Sequence, residues 1–84
     1  MVDAKKTGAL IAELRHEREL TQAQLGQRLG VADRTVSRWE TGGGLPDVSM
    51  LADLATELGV TVDELLTGER APRPDGELQG TMTG

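Results

Sequence analysis

Four polar side chains, Arg34, Ser37, Arg38 and Thr41, fall at i, i+3, i+4 and i+7, the spacing of one face of an α-helix. Two guanidinium groups and two hydroxyls in one stripe are hydrogen-bonding chemistry. An arginine can donate two parallel bonds to O6 and N7 of guanine, hydroxyls reach bases or phosphates, and a major groove about 12 Å wide admits one helix. Val36 and Trp39 point the other way, with Val31 set to staple beneath Val36, so a helix over about Asp33 to Thr41 has one side for a core and one for a partner. On charge pattern alone the polar side reads equally well as a solvated helix face.

The elements that would hold this stripe are marked by explicit start and stop signals. In "LTQAQL" Thr21 is placed to accept from the third helical amide, Gln24 to reach back to the cap, and Leu20 and Leu25 to staple the turn; "VTVDEL" repeats the pattern with Thr61, Glu64, Val60 and Leu65, predicting a short helix at 62–67. Gly30, Gly42 to Gly44 and Gly59 stop helices of eight to twelve residues. Leu10, Ile11 and Leu14 give the first helix an apolar face, and Leu51, Leu54, Ala55 and Leu58 give the fourth one. No segment alternates with period two, so the reading is all-α, a compact bundle of five helices. The predicted core is Leu14, Leu25, Val36, Trp39, Leu51, Leu54, Leu58 and Leu65. Residues 1–6 are predicted as an N-terminal arm and 7–70 as the folded unit. Residues 71–84, "APRPDGELQGTMTG", are predicted as a flexible tail, because they hold too few apolar groups to offset the entropy of ordering.

Composition narrows the function. Eighty-four residues make one small domain. With no cysteine and one histidine, neither disulfides nor a metal-ligand cluster is expected. No apolar run approaches the roughly 20 residues of a membrane span, and "MVDAKKTGAL" lacks a signal-peptide apolar region, so no membrane partner and a cytoplasmic location on the nucleoid are expected. Net charge is −5, but residues 1–46 carry seven Lys/Arg against six Asp/Glu, and residues 47–84 two against eight. The first half can therefore face an anion although the whole molecule repels one. Trp39 is the sole aromatic residue, which argues against the stacking platforms used for single strands.

The short glycine-containing connection after Gly30 is that of a helix-turn-helix formed by the second and third helices. Residues 8–69, with "LR" in the first helix, "LTQAQL", "LGV", "TVSRWETG" followed by a proline, and "LATELGVTVDELL", resemble the phage-repressor and Cro-like helix-turn-helix family, also called the xenobiotic-response-element type. The resemblance implies a lambda-repressor-like fold and a transcriptional regulator that binds double-stranded DNA sequence-specifically, as a dimer on half-sites about one helical turn apart. It implies that Gln22, with Thr21 beside it, grips a phosphate and braces the third helix. It also implies that Asp33, Arg34, Ser37 and Arg38 face base edges, that Thr35 and Thr41 lie nearer the backbone, and that Arg15 pairs with Glu40.

Three positions depart from the family pattern. Ala32 stands where a Ser or Thr cap is usual, Asp33 brings a carboxylate toward the phosphates, and Gly43 replaces a loop cation. Together with the net acidity they support an alternative, a protein-interaction module or antitoxin of the same fold whose acidic second half binds a protein partner and whose DNA binding is weak or autoregulatory. His16 beside Glu13 and Glu17 reads as a solvated face. Ser37, Thr35 and His16 lack an oxyanion motif and an orienting group, so neither catalysis nor a cofactor is assigned. Val62 and Leu66 are expected as contacts between two copies, with at least one of them in the core.

Overall fold

The computed structural model describes residues 2–70, and the segment read as a tail lies outside them. Five helices follow one another: α1 (Ala4–Glu17), α2 (Gln22–Leu29), α3 (Asp33–Glu40), α4 (Val48–Leu58) and α5 (Val62–Thr67). The fold is all-α, and the described residues contain no strand.

Local chemistry starts four of the five helices. Thr21 Oγ1 accepts from the Gln24 amide at 3.0 Å while Gln24 Oε1 accepts from the Thr21 amide at 2.8 Å. Thr61 and Glu64 repeat the exchange at 3.0 and 2.9 Å. Asp47 caps α4 by accepting from the Met50 amide at 2.8 Å. These bonds satisfy amides that the first helical turn leaves without partners. Asp3 does the same for α1, accepting from the amides of Lys5 and Lys6. The first helix therefore starts at Ala4, so residues 4–6, expected in an arm, are helical, and α1 has 14 residues where eight to twelve were expected. The cap precedes the first apolar residues of the helical face by two turns, which hid it from a reading based on periodicity. Ala32 makes no side-chain cap bond, and α3 ends at Glu40 with Thr41 as its C-cap.

One core joins the helices. Leu10, Ile11, Leu14, Leu25, Val36, Trp39, Leu51, Leu54, Ala55, Leu58 and Leu65 are buried in a single cluster, with Val62 and Leu66 half-buried against it. Burying a side chain of this size contributes about 1.5–3 kcal/mol. Two close approaches set the position of α3. A Cβ at Gly8 would collide with the Trp39 carbonyl oxygen, so α1 and α3 cross nearly backbone to backbone. A Cβ at Gly26 would stand 2.6 Å from the Val31 carbonyl oxygen, which lets the turn fold back on α2. Gly30 caps α2 at φ 77°, a left-handed conformation that glycine adopts without steric cost. In the same N-terminal half of α1, Thr7 Oγ1 donates to the Leu65 carbonyl at 2.7 Å inside the core. No helix of the described residues is long and apolar enough to cross a membrane.

Candidate nucleic-acid interface

Helix α3 divides by side. Val36 and Trp39 are buried, whereas Asp33, Arg34, Arg38 and Thr41 are exposed and Thr35 and Ser37 half-buried. Arg34 stands in solvent with no protein partner among the described residues. Arg38 turns toward the loop after the helix, its Nε donating to the Gly43 carbonyl at 3.1 Å. The Thr41 hydroxyl donates to the Arg38 carbonyl at 3.2 Å.

What fixes α3 is a shared carboxylate. Glu40 Oε2 accepts from Arg15 Nε at 2.6 Å, and Glu40 Oε1 accepts from Arg15 Nη2 and from Gln22 Nε2, both at 2.9 Å. The third guanidinium nitrogen, Nη1, donates to the Leu20 carbonyl at 2.8 Å and so holds the turn between α1 and α2. The two charged side chains are only 9% and 7% exposed. Burial pushes the Glu40 carboxyl up, but the hydrogen bonds from Arg15 and Gln22 and the adjacent positive charge prevail and hold it below its ordinary value. Arg15 is raised, chiefly by its hydrogen bond to Glu40 and against its own burial. Three helices, α1, α2 and α3, thus meet at one carboxylate.

At the start of α2 the Thr21 hydroxyl is engaged as the cap acceptor, and one Gln22 amide hydrogen goes to Glu40, which leaves the second for an external acceptor. Thr21, Gln22 and Asp33 line one open surface depression with Arg15 and His16, so the beginnings of α2 and α3 share a face. His16 is exposed, and the described residues hold no group of three or more His, Cys, Asp or Glu arranged for a metal ion. Arg15–Glu40 spans 25 positions and was visible only through the family resemblance. The Gln22–Glu40 bond was implied only as bracing. The contact of Arg38 with Gly43 had no sequence signal, because it depends on the path of the loop.

Two helices joined by a glycine turn, the second with a polar outer side and a buried inner side, define a helix-turn-helix protein. The helix-turn-helix family model matches residues 11–65, and the chain belongs to that family. The HTH-type transcriptional activator BcrR of Enterococcus faecalis is 41% identical over 59 residues, which are 70% of this chain and 29% of BcrR. The chain therefore spans less than a third of that relative. Among solved structures, the P22 c2 repressor protein in complex with synthetic operator 9T superposes with a TM-score of 0.72 at 32% identity, over 75% of this chain and 96% of the repressor chain. The same fold also matches part of FeII HppE in complex with substrate, with a TM-score of 0.68 at 28% identity, over 75% of this chain but 37% of HppE.

Proposed function

We propose that the folded unit, residues 3–70, binds double-stranded DNA sequence-specifically, as the DNA-binding unit of a transcriptional regulator acting as a repressor, with α3 in the major groove. The observation that carries this is the division of α3: a polar outer stripe on a helix pinned by Val36 and Trp39 and tied at its end to α1 and α2 through Glu40. Arg34 and Arg38 read base edges with Asp33 and Ser37 beside them. Thr35 and Thr41 lie toward the sugar–phosphate backbone, and Thr21 and Gln22 meet a phosphate at the positive end of α2. The synthetic operator held by the P22 c2 repressor supports the same docking here. We assign a dimer on half-sites about one helical turn apart, a cytoplasmic location on the nucleoid, and no catalysis. The match to HppE is confined to 37% of that chain and carries no site residue over to this one.

Selection from random duplexes at about 100 mM salt tests the proposal, and an enriched motif with two related half-sites is the expected result. A second reading, an interaction module that uses its acidic half, rests on the exposed carboxylates Asp47, Asp53 and Asp63 of α4, α5 and their caps. Absence of any enriched motif would overturn the DNA reading and favour this one.

A further inference from the structure

The loop after α3 reads Gly42-Gly43-Gly44, and the first of these has a plain reason to be glycine, since its φ is 83°. Gly43 and Gly44 do not: neither has a positive φ. What surrounds them is Arg38. A Cβ on Gly43 would stand 3.1 Å from Arg38 Cγ, and a Cβ on Gly44 would stand 3.1 Å from Arg38 Nε, 3.6 Å from Cζ and 3.7 Å from Nη2. The Arg38 side chain therefore runs past both bare α-carbons, its aliphatic Cγ beside Gly43 and its guanidinium beside Gly44. Arg38 and Gly43 also exchange two hydrogen bonds, the Gly43 amide donating to the Arg38 carbonyl at 2.9 Å and Arg38 Nε donating to the Gly43 carbonyl at 3.1 Å. Arg34, one turn earlier, has no such seat.

The geometry points to Gly43 and Gly44 as positioning residues for Arg38: they form a seat that spends Nε on the protein and leaves Nη1 and Nη2 as the edge offered to a ligand. That edge has two parallel donors, which suit a pair of adjacent acceptors such as O6 and N7 of guanine. A long side chain fixed before binding loses less rotamer freedom on contact, so the seat converts a mobile arginine into a directed one. The loop carries no cation at position 43 and instead holds the cation at position 38 in one orientation. This inference rests on the DNA-binding reading above.

The experiment uses the full 84-residue chain with Gly44→Ala, Gly43→Ala, Arg38→Ala and the pair Arg38→Ala/Gly44→Ala. Without DNA, the order of the Arg38 Nε–H group is followed by ¹⁵N relaxation, its resonance identified by its loss in Arg38→Ala. It is expected to be rigid in the parent chain and mobile in both glycine-to-alanine single variants, with thermal midpoints nearly unchanged because the displaced atoms belong to a flexible side chain. With DNA, Arg38→Ala is expected to lose roughly 5- to 150-fold discrimination at one base pair. Gly44→Ala is expected to lose part of it at the same pair, to leave the pair read by Arg34 alone, and to add nothing in the double variant. An Nε–H as mobile in the parent as in the variants would overturn the seat whatever the DNA result. Loss spread evenly over all sequences, or additive in the double variant, would overturn the positioning role. A parent chain that selects no motif would overturn the DNA reading and this role together, and the relaxation data would still decide separately whether the seat exists.

Discussion

Glu40 accepts three hydrogen bonds from residues of two other helices, which makes it the residue on which the placement of α3 depends most. Arg15→Ala leaves its carboxylate buried without a counter-charge, and loss of one partner of such a pair costs about 3–5 kcal/mol, a large share of the roughly 5–15 kcal/mol that holds a domain together. Urea denaturation checks this, and the double replacement Arg15→Met/Glu40→Leu should cost clearly less than the sum of the single changes. The same residue gives stability a pH dependence. Because the folded protein holds the Glu40 carboxyl below its ordinary value near 4.5, the unfolded chain takes up the proton first as pH falls. The contribution of Glu40 is therefore complete above the ordinary value and is lost as pH falls through the folded one. The stability gap between the parent and Glu40→Gln should narrow in that window, and a gap that stays constant to low pH would sink the argument. On the outer side of α3 the stakes are different: Arg38→Ala is expected to weaken binding to the selected site by roughly 1–3 kcal/mol and relax one base pair, with little change in thermal midpoint.

Among the helices, α3 is the one that starts without a side-chain cap bond, since Ala32 has no side-chain acceptor and Asp33 supplies none. Ala32→Ser should therefore stabilise the domain by about 0.5–2 kcal/mol, read as a higher thermal midpoint, and an unchanged midpoint would mean that water already satisfies those amides. The crossing of α1 and α3 makes the opposite prediction. Alanine is ordinarily the better helix residue by about 1 kcal/mol, but Gly8→Ala drives a methyl into the backbone of Trp39 and should destabilise by about 1–3 kcal/mol or more in the same measurement. These elements show what could be read ahead of the structure. The two capping boxes lie within four consecutive residues each, so their chemistry is written locally, and the core positions follow from helical spacing. Asp3 escaped because its helix turns amphipathic only later. Gly8 and the bond from Thr7 to Leu65 escaped because each joins segments whose approach is decided by the whole packing, and the bond from Arg38 to Gly43 escaped because it depends on the path of the loop.

At the scale of the molecule, charge is sorted. Glu13, Glu17, Glu57 and Glu69 are paired with Arg70, Arg28 or Lys6, while Asp53 and Asp63 stand exposed on α4 and α5. Exposed carboxylates weaken attraction to a polyanion at a distance. Asp53→Asn/Asp63→Asn should therefore tighten binding to every duplex by a common factor, roughly two- to fivefold at about 50 mM salt and less at about 200 mM, with the selected motif unchanged. A changed motif would place one of these residues in the interface. The two-sidedness of α3 has a further consequence for descent. Its inner side is committed to Val36, Trp39 and the Glu40 bonds, while substitutions at exposed, unpaired positions such as Arg34 typically alter stability by less than about 0.5 kcal/mol. On the proposed DNA reading, a duplicated copy of this gene could thus drift to a new operator one outer residue at a time, each intermediate still folded, whereas a change at Gly44 would redirect Arg38 without altering Arg34 or Arg38 itself.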